Sequence, residues 1–289
     1  MDKIDFGRRA SCLECLEIPD LESCHHISLL KSGDMWLSDY FGNLVLMDSS
    51  GRRLKHVNCS GGYGFHDVTK TGELMMADFK LNCVAEIHSM GSTTKVLFST
   101  GHWSPCCIHY SRISGDILLG MKTSTQGCVA RFNSQGKELQ RITCRPNGER
   151  LYSEPIYITE NKNGDICTSD WYKEALVVVS RSGRHKFSFH GGKGEHFFPG
   201  SVCTNKKGHI LLYETFSRSI HIFSTDGILL DVIIHERFST GLQFVPQGMC
   251  VDEGQHLWLG NNCDMNLVSV YKYIYSYKKP TKCSILKCF

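Results

Sequence analysis

The chain has 289 residues, with 32 Lys and Arg against 29 Asp and Glu for a formal charge of +3, and 41% of its residues are hydrophobic. That balance excludes a disordered, collagen-like or supercharged polymer, and so small a net charge sets up no field that requires a nucleic-acid partner. No apolar run approaches the roughly 20 residues needed to span a bilayer, so no membrane association is expected.

The N-terminus, Met1-Asp2-Lys3-Ile4-Asp5, lacks the apolar core of a secretion signal, and a cytoplasmic chain is expected. Its 15 cysteines are then read as free thiols packed as small hydrophobes, not as a disulfide framework. Cys12 and Cys15, followed by Cys24-His25-His26, offer zinc-type ligands, but an adjacent Cys-His pair is poor geometry for closing a tetrahedral site. No metal and no cofactor are expected. Residues 12–18 alternate as a strand does and stand ahead of the first full unit of a repeat.

That repeat runs along the chain. A small polar turn ending in glycine, then a short apolar run, recurs at Gly33, Gly72, Gly115, Gly164, Gly208 and Gly254, with spacings of 39, 43, 49, 44 and 46 residues. A second ladder, Gly51, Gly91, Gly136, Gly183 and Gly227, follows the first five by 18, 19, 21, 19 and 19 residues. Between the ladders lie β-branched or aromatic runs such as Leu176-Val177-Val178-Val179 and Ile220-His221-Ile222-Phe223. Proline often opens the run ahead of the first glycine, as at Pro155, Pro199 and Pro246, where a strand's first residue loses no ladder bond. Four strands per unit of about 44 residues predict an all-β, six-bladed β-propeller with four antiparallel strands per blade.

The blades are expected to start near residues 24, 63, 104, 154, 198 and 245, in one domain spanning 1–277. The sixth unit holds only three strands, so residues 12–18 are expected to close it and remove two open edges. Residues 278–289, with Lys278, Lys279, Lys282 and Lys287, read as a basic tail outside the ring.

Gly191-Gly192-Lys193-Gly194-Glu195-His196-Phe197-Phe198-Pro199, with the apolar strand after it, is similar to the start of an NHL repeat, and Gly208 through Gly227 continue the pattern to its end. Pro155 through Asp165, with Ser169-Asp170-Trp171, resembles the tripartite-motif proteins that end in such repeats. The resemblance covers about residues 12–275 and implies a recognition domain of the kind that belongs to ubiquitin ligases. The sequence holds no Cys/His-rich ligase module and no heptads, so only the recognition part, without enzymatic activity of its own, is expected here.

The turn between second and third strands often carries an acid before an aromatic: Asp39-Tyr40, Asp78-Phe79 and Asp170-Trp171, with Glu214-Thr215 in blade 5. Such acids either ring a metal, as in calcium-dependent lactonases, or bond their own loop amides; recurrence at one repeat position favours the turn-setting role. The aromatics Tyr40, Phe79, Trp103, Tyr152, Trp171 and Phe197 are expected on one face, about half of them exposed, as a binding surface. The basic pairs Arg52-Arg53 and Lys206-Lys207 are read as solvated turns on different edges of the disc. A protein partner is therefore expected for a monomeric scaffold. RNA binding and a calcium-dependent lactonase-like hydrolase are the alternatives.

Overall fold

The computed structural model describes residues 10–58, 64–87, 94–192, 196–234, 246–261 and 266–273. Short apolar runs separated by tight turns can satisfy their backbone groups only by pairing with the next run, and 24 strands result among the described residues. The first, β1 (Ala10–Glu17), precedes four strands of blade 1: β2 (His26–Leu29), β3 (Met35–Ser38), β4 (Asn43–Met47) and β5 (Arg53–Asn58). Blade 2 holds β6 (His66–Val68), β7 (Leu74–Asp78), β8 (Cys83–Ile87) and β9 (Thr94–Ser99). Blade 3 holds β10 (Ser104–Tyr110), β11 (Ile117–Lys122), β12 (Gly127–Phe132) and β13 (Glu138–Ile142). Blade 4 holds β14 (Pro155–Glu160), β15 (Ile166–Asp170), β16 (Ala175–Val179) and β17 (His185–Phe189). Blade 5 holds β18 (Pro199–Thr204), β19 (Ile210–Glu214), β20 (Ser219–Phe223) and β21 (Leu229–Ile234). The last three are β22 (Pro246–Val251), β23 (His256–Asn261) and β24 (Leu267–Tyr273).

Five sheets pair consecutive strands, and the sixth has the order β1-β24-β23-β22. The N-terminal strand thus completes blade 6, antiparallel to β24 from Ala10 opposite Tyr273 to Glu17 opposite Leu267. The first strands of the blades touch in succession around the axis, and β22 meets β2 to close the inner ring. The chain is a six-bladed β-propeller, as the two glycine ladders predicted.

Those ladders have distinct physical causes. Members of the first, such as Gly33 and Gly164, occupy left-handed backbone at φ 91° and 76°, which a side chain opposes. In blade 6 Gly254 is not the left-handed residue; Gln255 takes that place at φ 66°. In the second ladder Gly51, Gly136, Gly183 and Gly227 are also left-handed, and these glycines are needed for contact as well. A Cβ on Gly136 would lie 2.3 Å from Phe98, and one on Gly227 2.8 Å from the Phe187 ring, both on the outer strand of the preceding blade. Gly51 meets Leu16 of β1 in the same way, so the N-terminal strand occupies the outer-strand place in packing as well as in pairing.

Burial follows position in the blade. β7, β12, β15, β16 and β19 are buried at every residue, because neighbouring blades cover both faces. Outer strands such as β5 and β13 keep exposed positions. Cys24, Cys83, Cys106, Cys107, Cys128, Cys167 and Cys203 are buried in these layers as free thiols. The basic tail lies outside the described residues.

Candidate functional site

The acids of the strand 2–3 turns fold back onto backbone amides. Asp39 Oδ1 accepts from the amides of Phe41 at 2.8 Å and Asn43 at 2.9 Å. Asp78 Oδ1 does the same for Lys80 and Leu81, at 2.9 and 2.8 Å. Asp170 accepts from Lys173 in its own turn at 3.0 Å and from Ser153 and Glu154 on the connection arriving from blade 3, at 2.8 and 3.0 Å. Glu214 takes the amides of Phe216 at 3.1 Å and Phe198 at 2.8 Å. Burial pushes the Asp170 carboxyl above the usual carboxylate range, against the pull of its three amides. In blades 4 and 5 the acid is also the register partner of the proline that opens the inner strand: Asp170 faces Pro155 and Glu214 faces Pro199. In blade 3 Pro105 faces Met121 instead, and Lys122 follows it.

With the acid turned inward, the next residues project over the face. Tyr40, Phe41, Leu81, Tyr172 and Phe216 are 49%, 66%, 67%, 72% and 73% exposed. Tyr40 and Tyr172 line a cavity of about 360 Å³ at the mouth of the central channel. Every blade gives it a residue at or just before the inner strand: His25, Phe65, Cys106, Tyr157, Ser201 and Gln247. The end of β11 adds Lys122, and turns between second and third strands add Tyr40, Trp171 and Tyr172. The Tyr157 hydroxyl crosses the axis from blade 4 to donate to the His25 carbonyl at 3.3 Å. Its ring packs edge-on to Phe65 at 5.1 Å, and His25 packs edge-on to Tyr40 at 5.6 Å. Burial raises the Tyr157 phenol and pushes the Cys106 thiol up to about 12, so neither ionises near neutrality.

The cavity is aromatic with a few polar groups. Lys122 pairs with Glu154, and its ammonium also lies 5.6 Å from the centre of the Phe79 ring. The buried Ser201 hydroxyl and the Gln247 side-chain oxygen have no hydrogen-bond partner among the described residues. An apolar pocket holding two waiting acceptors and a neutralised ion pair suits an inserted side chain that ends in a donor.

Of the six aromatics read from the sequence, the structure brings Tyr40 and Trp171 to this cavity and sets Phe79 beside it, under Lys122. The other three are corrected: Trp103, Tyr152 and Phe197 are 5%, 1% and 2% exposed and present nothing to a partner. They sit where connections cross between blades, and there a large ring seals the apolar layer. Arg141 covers Trp103 with its guanidinium 4.7 Å from the ring centre, and Phe197 packs edge-on to Phe189 at 5.2 Å.

Sequence reading missed Tyr172, Phe65, Tyr157, Ser201, Gln247 and the Lys122–Glu154 pair. A signal for three of them existed: Tyr157, Ser201 and Gln247 each follow a strand-opening proline by one or two residues. The basic clusters are also placed differently than expected. Both sit on the glycine-turn face, where Arg52 pairs with Asp48 at 3.0 Å and Lys206 with Glu253 at 2.8 Å.

Among the described residues no three His, Cys, Asp or Glu side chains gather closely enough to hold an ion. The turn carboxylates of Asp39, Asp78, Asp170 and Glu214 accept backbone amides. Cys24 is buried with its thiol directed to the His26 carbonyl at 3.8 Å, apart from the strand that carries Cys12 and Cys15.

No family model matches the chain. A stretch of 107 residues is 28% identical to the E3 ubiquitin-protein ligase TRIM56 of Bos taurus, covering 37% of this chain and 15% of that protein. Among solved structures, a gluconolactonase from Xanthomonas campestris superposes with a TM-score of 0.69 at 13% identity, over 92% of this chain and 95% of its own. A virginiamycin B lyase from Staphylococcus aureus, solved with quinupristin, gives a TM-score of 0.65 at 13% identity, over 92% of this chain and 100% of its own. At that identity the structural likeness shows the fold alone. The chain is a six-bladed β-propeller whose sequence bears a local likeness to a tripartite-motif ubiquitin ligase.

Proposed function

We propose that this chain is an NHL-type recognition domain that binds a protein partner over the strand 2–3 turns and performs no chemistry itself. The observation that carries this reading is the set of large hydrophobics left exposed at those turns, Tyr40, Phe41, Leu81, Tyr172 and Phe216, of which Tyr40 and Tyr172 line one cavity. Exposed aromatics that frame a pocket are how protein interfaces concentrate their binding energy. The likeness to TRIM56 supports a place in the ubiquitin pathway, with the propeller selecting what a ligase modifies in the cytoplasm. RNA binding is disfavoured by the ion pairing of the basic groups on the opposite face, since a phosphate-binding surface keeps its cations available.

Pull-down with the full chain, with and without RNase, tests this. Protein capture that survives RNase and weakens in Tyr172→Ala with Phe216→Ala supports it; capture abolished by RNase, or unchanged in the double variant, refutes it. The second reading, a lactone-hydrolysing site in the same cavity, is favoured by the cavity's place at the channel mouth. Turnover of a simple lactone that a chelator abolishes would establish that reading in place of the first.

A further inference from the structure

Cys12 and Cys15 stand apart from the other described cysteines. Residues three apart on a regular strand point to opposite sides of the sheet. On β1 a bulge intervenes: Cys12 lies opposite Tyr271, Glu14 opposite Val270 and Cys15 opposite Ser269. Tyr271 and Ser269 are two apart on β24 and share a face, so the extra residue at Leu13 brings both thiols to one side. Their sulfurs are 3.4 Å apart, and Cys15 is exposed while Cys12 is half-buried. The alternatives are poor. Burial pushes up the thiols of Cys24, Cys83, Cys106, Cys107, Cys128, Cys167, Cys203 and Cys250. Cys144 is exposed, but no second cysteine shares its contacts among the described residues.

We propose that Cys12 and Cys15 form a redox-active dithiol that closes reversibly to a disulfide and thereby sets the strength of the blade 6 seam. The oxidant is a small disulfide such as glutathione disulfide. The accessible Cys15 thiolate attacks one of its sulfurs, forming a mixed disulfide and expelling one glutathione thiolate. The Cys12 thiolate then attacks the Cys15 sulfur and expels the second. Two protein thiols are oxidised, glutathione disulfide is reduced to two glutathiones, and the two protons pass to them. A sulfur–sulfur bond of about 2.05 Å is within reach by side-chain rotation from the observed contact. The product ties the two ends of the bulge together, so β1 can no longer slip or flatten against β24.

The full chain, fully reduced, is incubated with glutathione disulfide, alkylated and mapped by mass spectrometry, and its thermal midpoint is compared with the reduced form. The expected product is an unalkylated peptide lighter by two hydrogens that joins Cys12 to Cys15, with a midpoint raised by about 2–4 °C and restored by dithiothreitol. Cys12→Ser should instead stop at a glutathione adduct on Cys15, and Cys144→Ser should behave as the parent. Alkylation of both cysteines after oxidation, or a lasting glutathione adduct in the parent, overturns the dithiol. An unchanged midpoint in the oxidised protein overturns its coupling to the seam.

Discussion

The Asp170 carboxylate, at the end of β15, accepts the amide of Glu154 at 3.0 Å and so fixes the connection that arrives from blade 3. The same carboxylate holds the Ser153 and Lys173 amides, at 2.8 and 3.0 Å. One side chain thereby positions both Trp171 and the Glu154 partner of Lys122, two components of the cavity wall.

Asp170→Ala should leave three backbone donors without their acceptor in a largely buried place, costing about 2–4 kcal/mol of stability. Asp170→Asn, which retains one acceptor oxygen, should cost less. Urea denaturation of both variants checks this; equal stability of Asp170→Ala and the parent would contradict the turn-setting role.

Deleting residues 1–17 removes β1 and bares the edge of β24 from Leu267 to Tyr273. An unpaired edge in an apolar sheet recruits other chains. The truncated protein should aggregate or melt far below the parent, as light scattering and thermal unfolding would show. A monodisperse protein with an unchanged midpoint would mean that the seam contributes nothing.

Tyr172 is 72% exposed and Tyr152 only 1%. Tyr172→Ala should therefore weaken partner binding by about 1–3 kcal/mol with little change in stability. Tyr152→Ala should cost about 3–5 kcal/mol of stability through the cavity it leaves. Titration calorimetry paired with urea denaturation of each variant separates the two; the opposite assignment would move the interface elsewhere.

His26 and His66 lie with ring centres 4.8 Å apart near the axis. Burial depresses both below the usual histidine range; for His26 the neighbouring His66, His25 and His109 push the same way and Asp67 opposes them. Both are neutral in the folded protein, whereas the unfolded chain takes up protons below about pH 6.5. Their contribution is complete above that value and is lost as pH falls through it toward the depressed folded values. The slope should approach about 1.4 kcal/mol per pH unit for each histidine. Denaturation at stepped pH should show it, with a shallower slope in His66→Gln; a flat profile between pH 4 and about 6.5 would exclude neutral buried imidazoles.

The propeller was legible because its two glycine ladders meet strict demands: left-handed turns at Gly33 and Gly164, and blade-to-blade contact at Gly136 and Gly227. The closing strand was legible because alternation in residues 12–18 had no other sheet to join. The site was half legible. Asp39, Asp78 and Asp170 carry an aromatic outward because the acid turns in, and that local rule can be read from adjacent residues. Trp103, Tyr152 and Phe197 fail it because their fate depends on the neighbouring blade, which no local pattern reports. Tyr157 and Ser201 converge from separate blades only when the ring closes, although the prolines before them marked where the inner strands begin.

The seam of blade 6 also has a mechanical consequence. Ala10 and Tyr273 are register partners, so the two ends of the described ring leave side by side from one end of the β1–β24 ladder. Tension applied between those ends would load one pair at a time, starting at Ala10 and Tyr273, and peel the ladder toward Glu17. The other five blades, whose outer strands are joined through turns, would carry almost none of that load until the sixth had opened.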